Sequence, residues 1–196
     1  MKRLITLLVS LLILGLMGCI CIEAVSLVPN GSFEQLDDQG WPVDFGSQVF
    51  AGNIKYAVDN QVSRTGNNSV VIESDTTGRG RVDTYVNVTE GSVYQITVWY
   101  RTEATVKADT IRVRLLSFPG KAFKEEHAIE SPNGKLDFSD GNLMITAYEN
   151  AVGEWKPITL TFQVPSGVNR IQIELFNWRA EGKIWFDDLS MVEIVE

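Results

Sequence analysis

Short runs of alternating apolar and polar residues recur along most of the chain and constrain its fold more than any other feature. Successive side chains of a strand point to opposite faces, so each run predicts a strand with one buried and one outward face. The clearest runs are Ser69–Glu73, Arg81–Val88, Val93–Arg101, Thr110–Ser117, Lys156–Val164, Arg170–Trp178 and Lys183–Ile194. Weaker runs are Gln48–Phe50, Ile54–Val58 and Leu143–Tyr148.

The spacing of these runs indicates the fold class. Clusters of Gly, Asn, Asp and Pro separate them, and no helix of convincing period follows residue 24. Strands at this spacing predict an all-β domain over residues 25–196, a two-sheet antiparallel β-sandwich of the jelly-roll type. A long polar segment, 118–142, is predicted to be a loop or insertion that carries short strands of its own.

The N-terminus has the pattern of an export signal. Two basic residues precede the apolar run Leu4–Met17, which is too short for a standard spanning helix and predicts a signal peptide over residues 1–18. The run ends in Leu-Met-Gly-Cys, which resembles a prokaryotic lipobox and makes Cys19 a lipidation candidate, with 19–24 as a tether. Cleavage after Ala24, with plain secretion, is the alternative. Both interpretations predict an exported protein, either secreted or a cell-surface lipoprotein that contacts the membrane only through its lipid.

The charge and the cysteine content argue against two kinds of protein, one that binds nucleic acid and one that disulfides stabilise. The chain carries 25 Asp+Glu against 17 Lys+Arg, a formal net charge of −8, which argues against a nucleic-acid partner. The two cysteines, Cys19 and Cys21, both lie in the N-terminal segment. The domain must therefore hold its fold without a disulfide.

The outward faces of several predicted strands mix large rings with Arg, Gln, Glu and Asp. The apolar face of a sugar ring stacks on Trp or Tyr while polar side chains pair with its hydroxyls, so this mixture favours carbohydrate binding. The candidate carbohydrate-binding residues are Tyr85, Trp99, Arg101, Arg112, Arg114, Glu174 and Trp178. The alternative is that segment 118–142 covers Trp99 and Trp178 in a satellite core.

Two motifs at the ends of the domain carry a family resemblance. The opening Asn30–Glu34 reads NGSFE, and the closing Ile184–Ser190 reads IWFDDLS, with two acids inside an apolar strand. Together with the residues between them, these motifs resemble the carbohydrate-binding modules of families four, nine and twenty-two, the galactose-binding-like jelly rolls. The resemblance covers essentially the whole mature domain.

The resemblance implies a structural calcium ion. Its side-chain ligands would be Glu34 and Asp187, with Asp188 as the alternate, and the turn Arg64–Ser69 would contribute carbonyl oxygens. Calcium takes six to eight oxygen ligands and often mixes carboxylates with carbonyls. The alternative is that these acids are solvated or paired with Arg64.

Nothing in the sequence indicates an enzyme. The sole histidine, His127, lies in a charged stretch, and no catalytic serine, cysteine or zinc motif occurs. Asp83 and Glu174 would be the obvious carboxylates if the domain cleaved glycosidic bonds.

The sequence therefore predicts non-catalytic binding of a polysaccharide or other glycan by an anchored or secreted surface module. The alternative is a structural or adhesive subunit of an extracellular assembly, which would bind protein and could self-assemble.

Overall fold

The computed structural model describes residues 25–75 and 78–195. The predicted signal peptide, Cys19 and the tether lie outside these residues. The strands of the described part are β1 (Gly46–Ala51), β2 (Ile54–Asp59), β3 (Ser69–Ser74), β4 (Arg79–Asn87), β5 (Val93–Thr102), β6 (Ile111–Phe118), β7 (Ala128–Glu130), β8 (Gly134–Asp137), β9 (Leu143–Ala147), β10 (Lys156–Gln163), β11 (Arg170–Trp178) and β12 (Gly182–Ile194).

Helical structure in the same residues is limited to two 3₁₀ turns, Ala108–Thr110 and Glu125–His127. No helix in this described part is long and apolar enough to cross a membrane.

The strands form two six-stranded sheets with antiparallel pairing throughout. Sheet A has the order β1-β4-β11-β6-β9-β8, and sheet B has the order β2-β3-β12-β5-β10-β7. Chain neighbours repeatedly lie in different sheets, as β4 and β5 do, so the chain crosses the sandwich many times. This confirms the predicted two-sheet jelly roll.

The core between the sheets consists of the faces that alternation predicts. On β5 the inward residues Tyr94, Ile96, Val98 and Tyr100 are at most 2% exposed. The inward residues of β6 and β11 are equally buried: Ile111, Val113, Leu115, Ile171, Ile173 and Leu175. Removal of this apolar surface from water is the main force that holds the sheets together.

Segment 118–142 closes one side of the sandwich. It supplies β7, which pairs with β10 at the edge of sheet B, and β8, which pairs with β9 at the edge of sheet A. Between them Phe123 is buried in the core, with its ring centroid 5.8 Å from that of Phe162. The segment therefore covers strand edges that would otherwise be open to pairing with another chain.

The opening motif lies against the last strand, as turns rather than as a strand of its own. The Leu27 N–H donates to the Met191 carbonyl at 2.7 Å, and the Leu189 N–H donates to the Gly31 carbonyl at 2.8 Å. A Cβ at Gly31 would overlap the Leu189 carbonyl oxygen, so only glycine allows this close approach.

A β-bulge interrupts β12 at the two aspartates. Asp187 pairs with Trp99 and Ser190 pairs with Thr97, so β12 has one more residue than β5 over this stretch. Asp188 takes up the extra residue with a φ of 47°, the left-handed conformation. The bulge lets consecutive aspartates approach the same neighbouring turn.

Candidate functional site

The predicted carbohydrate-binding residues fall on opposite outer faces of the sandwich. Tyr85 on β4, Arg112 and Arg114 on β6, and Glu174 and Trp178 on β11 share the outer face of sheet A. Trp99 and Arg101 are on β5, in sheet B. The seven residues therefore do not form one site, because the outer faces of the two sheets point in opposite directions.

A buried carboxylate lies at the centre of the sheet A face. Glu174 is 0% exposed although its side chain points away from the core. It is held between Arg81 on β4 and Arg114 on β6, which contact its Oε1 and Oε2 respectively. Guanidinium groups from both neighbouring strands therefore compensate the charge of this buried carboxylate.

A second carboxylate extends this network along β4. Gln172 Nε2 donates to Asp83 Oδ2 at 2.7 Å, and Arg81 Nε lies 3.2 Å from Asp83 Oδ1. Asp83 also pairs in register with Glu174. The arrangement fixes the side chain of Arg81 from two directions.

Aromatic rings and arginines alternate across one end of this face. Phe50 and Phe176 stack with centroids 5.5 Å apart and planes 15° apart. The guanidinium of Arg81 lies 5.4 Å from the Phe50 centroid, and that of Arg114 lies 5.1 Å from the Phe176 centroid. These distances are in the range of cation–π contacts.

Trp178 is flanked by arginines from both neighbouring strands. The guanidinium of Arg79 on β4 lies 4.8 Å from its centroid, and that of Arg112 on β6 lies 4.5 Å away. Trp178 is only partly exposed, and it packs against these arginines and against Phe176. These neighbours come from β4, β6 and its own strand, β11.

The other end of the face carries a smaller aromatic patch. Tyr85, which is 45% exposed, and Phe118 have centroids 5.8 Å apart. The guanidinium of Arg170 lies 4.8 Å from the Tyr85 ring and 5.2 Å from the Phe118 ring. These residues complete a row of rings and cations that runs across β4, β11 and β6.

Sequence reasoning did not select several members of this face. They are Phe50, Arg79, Arg81, Phe118, Arg170, Gln172 and Phe176. The alternation of apolar and polar residues places most of them on outward positions of their strands. This was the sequence signal that could have identified them. Their contact with Tyr85 and Trp178 depends on the pairing of β4, β11 and β6, which the sequence does not specify.

Burial lowers the pKa values of Arg112 and Arg114, the two arginines of β6. Burial lowers the pKa of Arg112, with Asp109 and Asp137 opposing the shift, and burial together with the charge of Arg81 lowers the pKa of Arg114. Arg112 Nε is buried and has no hydrogen-bond partner among the described residues. Both groups keep a positive charge that water solvates poorly, since a guanidinium does not deprotonate in proteins.

The geometry does not favour Asp83 and Glu174 as hydrolytic carboxylates. Glycoside hydrolysis needs one acid that reaches the leaving oxygen and a second that reaches the sugar ring or water. Glu174 is fully buried between two guanidinium groups, and Asp83 is 8% exposed and bonded to Gln172. Their arrangement positions arginines instead.

On the other side of the sandwich, Trp99 borders a cavity of about 520 Å³ between the opening motif and β12. The guanidinium of Arg64 lies 3.7 Å from the Trp99 ring centroid and covers one face of the ring. Arg101 lies opposite Trp185, whose Nε1 donates to Asp59 Oδ2 at 2.8 Å. Trp99 is thus close to the predicted metal ligands rather than to the other ring candidates.

The predicted metal ligands all contact the turn at residues 64–68: Asp187 and Glu34 through its backbone N–H groups, and Asp188 through its side chains. Asp187, which is 0% exposed, accepts from the backbone N–H of Arg64 at 2.7 Å and of Thr65 at 3.3 Å on Oδ2. Its Oδ1 accepts from the backbone N–H of Asp188 at 2.7 Å. The turn thus directs N–H donors at the carboxylates, and its expected contribution of carbonyl oxygens to a calcium ion stays a prediction.

Glu34 accepts hydrogen bonds from the same turn, after Gly66. Its Oε1 accepts from the backbone N–H groups of Asn67 and Asn68, both at 2.9 Å. Gly66 packs against this carboxylate with a φ of 60°, and a Cβ there would overlap Glu34 Oε1. The opening motif is thereby fixed to the turn.

Asp188 forms the exposed part of this cluster. Its Oδ2 lies 2.5 Å from Arg64 Nη1, and its Oδ1 accepts from Thr65 Oγ1 at 2.6 Å. The pairing with Arg64 is the alternative that the sequence left open for these acids.

The cluster fits calcium in donor chemistry but only partly in geometry. Carboxylate oxygens are the ligands that calcium prefers, and Glu34 Oε2 and Asp187 Oδ1 each retain acceptor capacity. Against this, N–H donors fill Glu34 Oε1 and Asp187 Oδ2, and no group of three acidic, histidine or cysteine side chains in residues 25–75 and 78–195 could hold an ion.

Asp187 carries an electrostatic cost in this environment. Burial, with a smaller contribution from the Asp188 charge, raises its pKa from 3.8 to about 6, although the N–H bonds from Arg64, Asp188 and Thr65 oppose the rise. A proton or a bound cation would offset that cost.

The fold agrees with solved structures of low sequence identity. The bacteriophage CBA120 tailspike protein 4 enzymatically active domain matches with a TM-score of 0.61 and 14% identity, over 86% of this chain and 21% of that chain. A family 61 carbohydrate-binding module in complex with β-1,4-galactotriose matches with a TM-score of 0.56 and 16% identity, over 87% of this chain and 100% of that module.

A third structure contains a module together with a catalytic domain. The CBM22-1–GH10 part of Clostridium thermocellum xylanase 10B, complexed with xylohexaose, matches with a TM-score of 0.52 and 14% identity. The match covers 87% of this chain and 29% of that one. This chain thus spans about a fifth of the tailspike chain and less than a third of the xylanase chain. Similarity at these identities shows the fold.

Sequence comparison identifies the family. No curated protein matches the chain significantly. Residues 28–191, which run from just before the opening motif to the end of the closing one, match the family model described as BppA domain 1. The chain therefore belongs to the carbohydrate-binding module 4/9 family, in the type described as BppA domain 1.

Proposed function

We propose that the protein binds a glycan on the outer face of sheet A and leaves chemistry to other proteins. The observation that carries this proposal is the row of rings and fixed polar groups across β4, β11 and β6. Trp178, Phe176 and Tyr85 offer apolar surface, and the network around Glu174 holds charged donors rigidly beside them. Preorganised polar groups next to rings lower the entropic cost of binding a sugar.

The known ligands of similar modules support the proposal by analogy of fold. The family 61 module is bound to galactotriose and the xylanase modules to xylohexaose. The glycan of this chain is a separate question, since the identities are 16% and 14%.

Titration calorimetry of the full chain against galactan, xylan, β-glucan and mannan tests the proposal. Trp178→Ala and Tyr85→Ala remove rings from the sheet A face and should each weaken binding about tenfold or more, while Trp99→Ala on sheet B serves as the matched control. Binding that survives both sheet A variants but is lost in Trp99→Ala would move the site to sheet B. An absence of binding to every glycan would favour the structural or adhesive role.

A structural calcium ion is a further part of the proposal. Glu34 and Asp187 would hold it, with Asp188 as the alternate, and it would offset the charge of the buried aspartate. The donor chemistry and the raised pKa of Asp187 support it, and the N–H contacts of residues 64–68 weigh against it. Thermal unfolding with and without chelator provides the test.

Surface anchoring through Cys19 rests on the sequence motif alone. Metabolic labelling with a fatty acid should mark the chain in a bacterial host and fail to mark Cys19→Ser. A chain that is labelled in neither form, and is found in the medium, would instead support plain secretion.

A further inference from the structure

The two outer faces of the sandwich carry opposite charge. Every ionisable side chain on the strands of sheet A points outward, and cations outnumber anions there by six to three. The cations are Arg79, Arg81, Arg112, Arg114, Arg170 and Lys135, and the anions are Asp83, Glu174 and Asp137. On the strands of sheet B the balance is reversed. Its cations are Lys55, Arg101, Lys156 and Lys183, and its anions are Asp59, Glu73, Glu130, Asp187, Asp188 and Glu193.

The excess of cations on the strands of sheet A is opposite in sign to the net charge of the whole chain. The protein has a formal net charge of −8, so a random distribution would leave each face acidic. Five of its arginines nevertheless lie on a single sheet face, where they repel one another. A face that carries such a cost is better explained by an anionic ligand than by solvation alone.

Three of these arginines form no ion pair with an acid among residues 25–75 and 78–195. Ion pairs within 4.0 Å among the described residues involve Arg81 and Arg114 on this face but not Arg79, Arg112 or Arg170. The three instead lie against rings: Arg79 and Arg112 beside Trp178, and Arg170 beside Tyr85 and Phe118. A guanidinium that stacks on a ring keeps its N–H edge available for a second ligand.

The stacked guanidinium groups also limit how a sugar ring could approach Trp178. Trp178 has a guanidinium on the side of each neighbouring strand, so the space that a neutral sugar would need over the ring is already flanked by cations. The ring orients the two arginines, and their planar edges match the geometry of a carboxylate or sulfate group.

One cavity on this face has mixed charge. It has a volume of about 200 Å³ and is lined by Arg112, Lys135, Asp109, Asp137, Met144 and Thr146. The two aspartates disfavour an anion there. Of the three arginines that form no ion pair among the described residues, Arg79 and Arg170 lie outside the cavity and against rings.

We propose that the sheet A face recognises an anionic glycan, through the guanidinium edges of Arg79 at Trp178 and of Arg170 at the Tyr85 patch. This inference rests on the proposed glycan-binding function and specifies its substrate class as a polysaccharide with oxyanion substituents. Carboxylate and sulfate share the required chemistry. Glu174 acts as a positioning residue that holds Arg81 and Arg114 in place.

Pairs of polysaccharides that share a sugar backbone and differ in charge show whether the protein recognises the charged groups or the sugar backbone. Calorimetry of the full chain should detect polygalacturonate but not its fully methyl-esterified form if carboxylate is read, and dextran sulfate but not dextran if sulfate is read. Binding of either charged form with failure of its neutral match supports the proposal and identifies the oxyanion. Equal binding of the charged and neutral forms overturns it while leaving the proposed glycan binding intact.

Arginine variants locate the contact. Arg79→Gln and Arg170→Gln should each weaken binding of the charged polysaccharide about tenfold or more, as loss of a charge-assisted hydrogen bond implies. Arg101→Gln, on the acidic sheet B face, removes the same charge and should leave affinity unchanged. Equal losses in all three variants would mean non-specific attraction and would overturn the proposal. If no polysaccharide binds, charged or neutral, the proposed function fails with it.

Discussion

Asp187 Oδ2 accepts a hydrogen bond from the backbone N–H of Arg64 at 2.7 Å, across 123 positions of sequence. This contact fixes a turn between β2 and β3 to the bulge in β12. The opening motif reaches the same turn through Glu34, so three distant segments meet at one set of carboxylates. In a domain whose described part contains no cysteine, such contacts replace a covalent staple.

Asp187→Ala should be strongly destabilising. It leaves the N–H groups of Arg64, Thr65 and Asp188 without their acceptor, and buried donors without partners cost about 1–3 kcal/mol each. We expect a loss of about 3 kcal/mol in the free energy of unfolding, measured by urea denaturation. Asp188→Ala is the control, because it removes a partly exposed ion pair worth about 1 kcal/mol or less. Equal losses in the two variants would contradict the assignment.

The stability contributed by Asp187 should fall as pH rises from about 4 to about 6. Its pKa is 3.8 without the fold and about 6 within it, so over this window the folded state holds a proton that the unfolded state has lost. Stability decreases with pH wherever the native state binds more protons. Melting temperatures in the presence of chelator, compared between the wild type and Asp187→Asn, measure the effect. A wild-type slope that the variant retains in full would assign the titration to another group.

Calcium, if it binds, should raise the melting temperature through the same residue. A ligand that binds only the folded state stabilises it in proportion to the logarithm of its concentration above the dissociation constant. We expect a chelator to lower the melting temperature of the wild type and to have no effect on Asp187→Ala. An unchanged wild-type curve would show that the N–H contacts of residues 64–68 hold the cluster without a metal.

Gly66→Ala should destabilise the domain more than its backbone conformation explains. Its φ is 60°, and a Cβ would also overlap Glu34 Oε1. Gly91 is the matched control, with a φ of 77° and open space around a Cβ. We expect Gly91→Ala to cost about 1 kcal/mol from the left-handed conformation alone and Gly66→Ala about 1–2 kcal/mol more, by urea denaturation. Equal costs would mean that Glu34 yields freely.

Glu174→Leu should test the buried charge network. Loss of one partner of a buried pair leaves the other charge uncompensated and costs about 3–5 kcal/mol. Here two guanidinium groups, of Arg81 and Arg114, would be left. The exposed variant Glu154→Leu should change the free energy of unfolding by less than about 0.5 kcal/mol. If Glu174→Leu is as stable as the wild type, the arginines reorganise without it, and the positioning role of Glu174 is excluded.

Alternation of side chains predicted which residues face the core. The inward residues of β4, β5, β6 and β11 are buried as predicted. Side chains alternate between the two faces of a strand, so the apolar positions of an alternating run all face the core. The end motifs predicted that the opening and closing segments contact each other, which the hydrogen bonds of Leu27 and Leu189 confirm. Segment 118–142 was correctly expected to carry short strands.

The sequence by itself therefore determined the fold class, the core faces and the family of this protein. The tertiary structure decided which outward residues share a surface. Trp99 and Trp178 have equivalent patterns on their own strands, yet β5 and β11 belong to different sheets and point their outer faces in opposite directions. Strand order and register are set by long-range pairing, which periodicity within one strand does not encode. The same long-range pairing placed the N–H donors of residues 64–68 against the carboxylates of Glu34 and Asp187, which the sequence did not predict.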